Sequence, residues 1–371
     1  MIILFALWAT LFTVFVASLG FTYAYLRRQS SRPWSLKLDE SFRPTLSVLV
    51  PVHNEEANVT AKLENLRKAS YPADKMEILI VDDASTDSTV TKVSRFIAEN
   101  PDMNVRIFTV GPRSGKARAL NRALSETSGS IVVISDADCL WSDGLLEKTL
   151  PYMADPSVGA VSGMQQVANS PESWSTRAEE DYLRLSSLLR VGESKIYSTI
   201  RFEGGVSLYK RSAFESFDDR TGADDSGTAL RIVQNRMRAI VVPEAIFYSS
   251  SPSKLSDRLH IKARRANHLI SLWTKCLKLS AAKKLALPKK IAIPNFMLFL
   301  FNPLILILLG ATTIALVALY PLSIFSLFVL AIVAAAAVLA RRTFVEIIVD
   351  NLVLFYALVG FASGRRYLSW E

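Results

Sequence analysis

The chain contains 371 residues, half of them hydrophobic, and its formal net charge is +9. Its positive mean hydropathy argues against a protein that is soluble throughout, and its two isolated cysteines exclude both a disulfide framework and a cysteine-based zinc site. Nucleic-acid binding is disfavoured because much of the basic excess flanks apolar runs, as in membrane proteins, and the sequence has no basic-aromatic groove pattern.

The first predicted element is a transmembrane helix. The run from Ile2 to Leu26 is almost free of charge and longer than the roughly 20 residues that a helix needs to cross a bilayer. A cleaved signal peptide is the alternative, but it needs a basic residue before the apolar run and a small-residue cleavage site after it. Here the basic residues follow the run, at Arg27, Arg28 and Arg32. We therefore expect an uncleaved anchor over residues 1–27, with the N-terminus outside, and a juxtamembrane linker over residues 28–44.

An α/β domain is predicted over residues 45–252. Four short runs rich in Val and Ile are typical of buried parallel strands, and helical patterns lie between them. Strands that alternate with helices predict a doubly wound sheet, in which ligands bind beyond the carboxyl ends of the strands. The expected strands are Leu46–Val52, Met76–Val81, Val105–Val110 and Ser130–Ser135, and the expected helices are Glu55–Lys68, Ser85–Glu99 and Ser114–Ser125.

Residues 253–290 are predicted to contain an amphipathic helix, Ser256–Leu279. Arg258 and Lys262 are expected on its polar side, and Trp273 is expected on its apolar side. This composition suits a membrane interface, and packing on the core of the preceding domain is an equally good interpretation.

Residues 291–371 are expected to form a membrane region of two to three spans. The last candidate span is short and contains Asp350, so it is the weakest of the set. The candidates are Asn295–Tyr320, Leu322–Ala340 and Ile347–Ala362.

Acidic residues follow three of the predicted strands. Glu55 comes after the first strand, Asp83 after the second, and Asp136 with Asp138 after the fourth. These strand ends should lie at one edge of the sheet, where crowded carboxylates repel each other unless a cation or sugar hydroxyls lie between them. Asp136 and Asp138 are suited to share Mg²⁺ or Mn²⁺, which prefer oxygen ligands, whereas a solvated turn is the alternative for Asp-x-Asp alone.

Two further features suggest nucleotide or phosphate binding. Asp83 can accept hydrogen bonds from a base or ribose, while Ser85 or Thr86 is expected to cap the following helix. Lys116 follows Gly115 at a predicted helix start, where a lysine can meet a phosphate; a solvated lysine is an equally good interpretation.

Glycines and carboxylates mark the end of the predicted domain. Gly204 and Gly205 allow the backbone to approach a ligand closely, or form a simple turn. Asp224 and Asp225 lie where a helix should begin, and the helix dipole alone favours carboxylates there. The functional interpretation is that Asp225 is a general base that deprotonates an acceptor hydroxyl.

As a set, these motifs resemble those of the family 2 glycosyltransferases, which have a GT-A fold. They occur in the family's order and are far more specific together than singly. The matching motifs are Pro51-Val52-His53-Asn54-Glu55-Glu56, Val81-Asp82-Asp83-Ala84-Ser85-Thr86-Asp87, Gly115-Lys116-Ala117, Ser135-Asp136-Ala137-Asp138, Glu203-Gly204-Gly205 and Ala223-Asp224-Asp225.

The resemblance implies roles for the matching residues. Asp136 and Asp138 would serve the ribose and the metal-bound diphosphate, and Asp225 would be the catalytic base. The residues implied to line the nucleotide pocket are Pro51, His53, Glu55 and Asp83.

The sequence departs from the family pattern at two places. Ala223-Asp224-Asp225 stands where the family has Thr-Glu-Asp, although the last carboxylate is kept. The Gln-x-x-Arg-Trp motif of processive members is absent from the corresponding stretch, His260–His268, where Arg264 or Arg265 could still contact the diphosphate. This absence disfavours a processive synthase of the cellulose or hyaluronan type.

We therefore expect an integral membrane enzyme whose catalytic domain lies on the cytoplasmic side, with the plasma membrane as its expected location. The expected reaction is an inverting, metal-dependent transfer of a sugar from a UDP-sugar or GDP-sugar to a lipid-linked or glycolipid acceptor. A processive polysaccharide synthase and a non-catalytic membrane scaffold with the GT-A fold are the alternatives. Metal-dependent turnover of the donor would reject the scaffold, and the length of the product would separate the two enzymes.

Overall fold

The computed structural model describes residues 1–219, 224–339 and 341–364. The chain divides into two compact units. Among the described residues, the sheet unit comprises Leu26–Ser253, and the helical unit comprises Met1–Tyr25 together with residues 254–364. Helix α1 (Ile2–Ser30) contributes residues to both units.

The sheet unit is built on a mixed sheet, with eight strands in the described part of the chain. The strands are β1 (Leu46–Val52), β2 (Met76–Asp82), β3 (Val105–Thr109), β4 (Ile131–Ile134), β5 (Leu140–Trp141), β6 (Val158–Val167), β7 (Ser207–Lys210) and β8 (Arg238–Ser249). Their order across the sheet is β3-β2-β1-β4-β7-β6-β8-β5. The first four strands are parallel, as predicted, and their ends agree with the expected ones to within one residue.

Three helices of the sheet unit start later than the sequence predicts. Those that follow α1 are α2 (Val59–Arg67), α3 (Thr89–Glu99), α4 (Lys116–Leu124), α5 (Leu145–Met153), α6 (Trp174–Ile196) and α7 (Asp224–Gln234). The expected starts of the first three, at Glu55, Ser85 and Ser114, lie instead in loops. The polar groups of those loops bind neighbouring loops, so they are not free to begin a helix.

The loop after β2 illustrates this competition. The Ser85 amide donates to the Asp82 carboxylate at 3.1 Å, and the Thr86 amide donates to the Asn54 side chain at 2.8 Å. The prediction that Ser85 or Thr86 caps α3 is therefore wrong. The residue at the N-cap of α3 is Ser88, whose side chain makes no capping hydrogen bond, and the Asp87 carboxylate accepts from the Thr89 amide at 2.9 Å.

The core lies around the parallel strands. Every residue of β1 is buried, which means that both faces of this strand are covered. Leu63 and Leu66 of α2 are fully buried in the cluster that contains Val48 and Val50. Burying one such side chain contributes roughly 1.5–3 kcal/mol to stability.

The antiparallel pairing of β7 with β4 determines what lies beside the carboxyl end of β4. Ile134 pairs with Ser207, so the chain that enters β7 passes the end of β4. Gly205 lies on this approach, and its carbonyl accepts a hydrogen bond from the Ser135 hydroxyl at 2.9 Å. A Cβ atom at Gly205 would collide with the Phe247 ring, so a residue with a side chain cannot occupy this position without a shift.

Helix α7 is fixed by a buried acid that precedes it. Asp218 is fully buried and forms an ion pair with Arg231 at 2.6 Å. The Asp218 amide donates to the Thr228 hydroxyl at 2.9 Å, and Gly227 lies so close to Asp218 that a Cβ would collide with it. These contacts determine where the first turn of α7 lies. The motif residue Ala223 lies outside the described residues.

The helical unit contains the apolar segments. Its helices after α1 are α8 (Leu255–Ala281), α9 (Lys289–Phe296), α10 (Asn302–Leu319), α11 (Ile324–Leu339) and α12 (Arg341–Ala362), with a π-helical turn at Met297–Phe301. Three helices among the described residues are long and apolar enough to cross a membrane: Ile2–Ser30, Lys289–Leu319 and Thr343–Ala362. The apolar stretch Ile324–Val338 is shorter than these, so the middle C-terminal segment is the short one and the last segment is not.

Helix α8 does not present the faces that its sequence suggests. Arg258 and Lys262, expected on the polar side, are 2% and 7% exposed. Arg258 pairs with Glu346 of α12 at 2.9 Å, and Lys262 pairs with Glu346 at 2.8 Å and with Asp350. The acidic pair on a distant helix, which periodicity along α8 cannot reveal, explains why these two cations are buried.

Polar contacts also join α1 to α10 within the helical unit. The indole N–H of Trp8 donates to the Thr313 hydroxyl at 2.8 Å. The Ser18 hydroxyl donates to the Asn302 side chain at 2.9 Å. Hydrogen bonds of this kind help apolar helices to associate where the hydrophobic effect provides little driving force for their packing.

Candidate active site

The loops after β1 and β2 form one side of the candidate site. His53 and Asp83 follow these strands, and the His53 Nδ1 atom lies 2.8 Å from the Asp83 carbonyl oxygen. Pro51 is buried as the penultimate residue of β1 and pairs with Val81 in the sheet. The structure thus brings Pro51, His53 and Asp83 together at the carboxyl edge of the sheet, where their predicted contact with a nucleotide would have to occur.

The Asp83 carboxylate organises the loop that leads into α4. One of its oxygens accepts from the amide and the hydroxyl of Ser114 at 2.8 and 3.0 Å. Its other oxygen accepts from the Gly115 amide at 2.7 Å. Gly115 has a φ of +88°, a conformation that favours glycine. The tight turn before Lys116 therefore requires a glycine at this position. Asp83 therefore positions the start of α4 directly.

Lys116 lies between two of the acidic motifs. Its ammonium group is 2.6 Å from Asp136 and 3.6 Å from Asp224. Only 10% of the Lys116 side chain is exposed, so the interpretation of a solvated lysine is wrong. Burial opposes the charged form of Lys116, but Asp136, Asp224 and Asp225 outweigh this effect and raise its pKa.

Gly204 marks the point on which these side chains converge. A Cβ atom built on Gly204 would lie 3.0 Å from an Asp136 oxygen, 3.0 Å from the Lys116 ammonium and 3.8 Å from an Asp225 oxygen. Residues from β4, α4, α7 and the approach to β7 therefore share one small volume. A bare backbone at position 204 leaves this volume open to a ligand.

The two central carboxylates have strongly raised pKa values. Burial raises the pKa of Asp225 to about 7, and the adjacent Asp224 carboxylate adds to the effect while Lys116 opposes it. Burial also raises the pKa of Asp136 to about 6, again against the effect of Lys116 and with a contribution from Asp138. Raised carboxyl pKa values in a shared cleft are typical of sites that handle protons or cations.

The donor set at the end of β4 fits a divalent cation. Asp136, Asp138 and Cys139 each offer a ligand atom, and these atoms lie within 4.8 Å of one another. Asp138 is exposed and Asp136 is partly buried, so a cation held there could also reach a bound phosphate. Oxygen donors from two carboxylates suit Mg²⁺ or Mn²⁺, and a divalent ion would lower the repulsion between Asp136 and Asp138.

Glu55 is associated with the same edge. It is half-buried, and its carboxylate accepts from the Asn58 side chain at 2.8 Å. Burial raises its pKa, and the nearby Asp138 and Asp87 carboxylates raise it further. Because the Asp138 carboxylate affects the pKa of Glu55, the charge of Glu55 also acts on the candidate cation site.

Arg264 and Arg265 differ from the other expected site residues because they belong to the helical unit. Both lie on α8. Their contact with a diphosphate remains a prediction from the family resemblance.

One participant was not singled out in the sequence. Lys62 is fully buried beneath the end of β4, where its ammonium group donates to the Ser135 hydroxyl. A signal existed for Lys62, because it shares the apolar face of α2 with Val59 and Leu66 at helical spacing. Gly204 was expected to allow close approach of a ligand, but the convergence of Lys116, Asp136 and Asp225 on it depends on the chain's return before β7 and has no local signature.

Comparison with known proteins identifies the family. Residues 47–217 match the family model described as glycosyl transferase family 2. Among solved structures, the chain is similar to the mannosyltransferase PcManGT from Pyrobaculum calidifontis, whose structure is a complex with GDP-Man and Mn²⁺. The two are 31% identical with a TM-score of 0.84, and the likeness covers 98% of this chain and 100% of that chain. This likeness also confirms the expected GT-A-type α/β fold.

Two curated relatives are similar over part of their length. The beta-monoglucosyldiacylglycerol synthase of Synechocystis sp. is 29% identical over 192 residues, which are 51% of this chain and 40% of that protein. The probable glycosyltransferase YdaM of Bacillus subtilis is 27% identical over 276 residues, 71% of this chain and 64% of that protein. The chain therefore spans less than two thirds of the length of either relative. The family match and the full-length structural likeness show that the chain belongs to the family 2 glycosyltransferases.

Proposed function

We propose that the protein is an inverting glycosyltransferase that moves a sugar from a nucleotide-sugar donor to a membrane-associated, lipid-linked or glycolipid acceptor. The observation that carries the proposal is the convergence of Lys116, Asp136 and Asp225 on the open space at Gly204. A cation-binding carboxylate, a phosphate-binding lysine and a carboxylate with a raised pKa are the groups that such a transfer requires in one place.

The chain's own residues would hold the donor by its nucleotide and diphosphate. His53, Glu55 and Asp83 lie at the strand ends where the base and ribose would bind. Lys116 would turn from Asp136 toward the diphosphate, because an ammonium group gains a stronger partner in a dianionic group. Arg264 and Arg265 of α8 are proposed as further diphosphate contacts.

A divalent cation, Mg²⁺ or Mn²⁺, would be held by Asp136 and Asp138. The fit of the donor set supports this assignment, and the relative PcManGT has Mn²⁺ in its solved complex. When bound, such an ion neutralises negative charge on the leaving diphosphate.

Asp225 would act as the general base of a single displacement. The acceptor oxygen forms a bond to C1 of the sugar as the bond from C1 to the phosphate oxygen breaks. The acceptor proton passes to the Asp225 carboxylate, and the nucleoside diphosphate leaves with the electron pair. A carboxylate whose pKa is raised to about 7 by burial is a stronger base than an exposed aspartate and suits this step.

The donor and acceptor classes rest on different observations. A GDP-sugar is the first donor to test because the full-length relative binds GDP-Man, with a UDP-sugar as the alternative. A lipid acceptor is supported by the three apolar helices and by the diacylglycerol glycolipid synthase among the relatives. We infer an integral protein of the plasma membrane, with the sheet unit on the cytoplasmic side where Arg27 and Arg28 would lie.

The direct test is transfer by the full-length protein in detergent with an extract of membrane lipids. Labelled GDP-mannose and a panel of UDP-sugars are supplied with Mn²⁺, with Mg²⁺, or with a chelator. We expect release of nucleoside diphosphate and label in a lipid fraction only when a metal is present. Metal-dependent release of nucleoside diphosphate with the label in a ladder of long chains would indicate a processive synthase instead. No turnover of any donor would support a non-catalytic scaffold.

Replacing the proposed base gives a second prediction. The substitution Asp225→Asn keeps the shape of the side chain and removes its ability to take a proton, so turnover should fall about 10²–10⁴-fold. The binding affinity for the nucleoside diphosphate should change far less. Asp219→Asn, an exposed acid six positions earlier, is the matched control and should keep wild-type turnover. Near-normal turnover in a folded Asp225→Asn variant would remove Asp225 from this role.

The raised pKa of Asp225 predicts the pH dependence of turnover. The base is active only when ionised, so kcat/KM should rise with pH and level off above a midpoint at or below about 7. A bound divalent cation stabilises the ionised form and moves the midpoint down from the metal-free value. Initial rates at saturating metal from pH 5 to pH 9 measure this limb. A rate that falls as pH rises through 6 to 8 would contradict the assignment.

A further inference from the structure

A buried lysine joins the two ends of the Asp136-Ala137-Asp138 turn. Lys62 of α2 has no exposed surface. Its ammonium group donates to the Ser135 hydroxyl at 2.6 Å and to the Cys139 carbonyl at 2.7 Å. These acceptors belong to the residue just before the turn and the residue just after it. One side chain from another element thus holds both ends of the proposed metal-binding segment.

The Ser135 hydroxyl is the centre of a small polar network. It accepts hydrogen bonds from Lys62 and from the indole N–H of Trp141, which lies 2.8 Å away. It donates to the Gly205 carbonyl at 2.9 Å. The donor and both acceptor positions of this hydroxyl are therefore used. The network connects the end of β4 to the backbone beside Gly204.

Packing alone does not explain a lysine at this position. The neighbours of Lys62 on the same face of α2 include Val59, Leu63 and Leu66, all fully buried. An apolar side chain would continue this face without removing a charge from water, which is costly. The lysine differs from such a residue in its two hydrogen bonds to the turn and in its charge, which lies 5.0 Å from the centre of the Trp141 ring.

We propose that Lys62 is a positioning residue that holds the Asp136-Ala137-Asp138 turn, from inside the core, in the shape in which its carboxylates can share a divalent cation. Lys62 does not reach the substrate or the metal itself. The inference rests on the proposed function in one respect, because it takes the turn to be the metal site of a glycosyltransferase.

Removal of Lys62 should change the Mn²⁺ affinity in opposite directions, depending on whether its hydrogen bonds to the turn or its charge has the larger effect. A positive charge near a cation site repels the cation, so its removal alone would strengthen Mn²⁺ binding. If Lys62 holds the turn, its removal lets the carboxylates move apart and weakens Mn²⁺ binding instead. Loss of an outer partner that orients metal ligands typically costs 10–100-fold in affinity. The direction of the change therefore distinguishes the two effects.

The test compares Lys62→Met with Lys210→Met in the full-length, detergent-solubilised protein. Lys210 is the control because it is a partly buried lysine of the same sheet unit and, like Lys62, donates to a carbonyl, that of Asp155 at 2.7 Å. It pairs with Ile131 at the other end of β4, away from the turn. The first readout is amide hydrogen exchange over residues 135–141 in metal-free protein. We expect about tenfold faster exchange there in Lys62→Met and no change in Lys210→Met.

The second readout is Mn²⁺ affinity, measured with Mn²⁺ alone from the electron paramagnetic resonance signal of the free ion. We expect binding at least about tenfold weaker in Lys62→Met and within twofold of wild type in Lys210→Met. Unchanged or tighter Mn²⁺ binding together with unchanged exchange would overturn the proposal. Faster exchange with unchanged Mn²⁺ affinity would overturn it as well, because the order of the turn would then not matter to the metal.

A second variant covers the case in which Lys62→Met does not fold. Ser135→Ala keeps the lysine and removes its contact at one end of the turn, and it should show the same two changes to a smaller extent. Wild-type behaviour of this variant in both readouts would overturn the proposal. Failure of the proposed function is separable: wild-type protein that binds no Mn²⁺ would refute the metal site, while the exchange rates would still show whether Lys62 orders the turn.

Discussion

The site depends on how negative charge at the carboxyl edge of the sheet is balanced. Asp136 and the adjacent pair Asp224 and Asp225 come from distant parts of the chain and lie near the ammonium group of Lys116. Burial raises the pKa of Asp136 to about 6 and that of Asp225 to about 7, neighbouring carboxylates add to the rise, and the charge of Lys116 offsets only part of it. The remaining negative charge makes the site receptive to a divalent cation, and a cation in turn makes it receptive to a diphosphate.

The fold achieves this crowding by placing an antiparallel strand beside β4. Parallel pairing brings the carboxyl ends of β1, β2 and β4 to a common edge, and the chain returns to that edge just before β7, because β7 begins there. Gly204 and Gly205 lie at this return, where one faces the charged groups and the other lies against the Phe247 ring. The stability of the α/β core and the ion pairs of Lys116 together offset the repulsion between the carboxylates.

Features that depend on interactions between residues close in the sequence could be predicted, and features that depend on distant residues could not. The four parallel strands and the three acidic strand ends have local signatures, and both were predicted correctly. Helix starts were placed too early because groups such as the Thr86 amide bind another loop, and the burial of Arg258 on α8 depends on Glu346, 88 positions away. Lys62 was missed for the same reason, since its importance lies in contacts with the turn at Asp136. The contacts of Arg264 and Arg265 remain predictions.

The central claim is that the site binds a nucleoside diphosphate through a cation held by Asp136 and Asp138. The most direct measurement is calorimetric titration of the full-length protein with GDP and with UDP, each with Mn²⁺ and with a chelator, beside the Asp138→Asn variant. The account predicts that at least one nucleotide binds with Mn²⁺, that chelation weakens this binding at least about tenfold, and that Asp138→Asn removes the effect of the metal. Binding of equal strength with metal, with chelator and in the variant would contradict it.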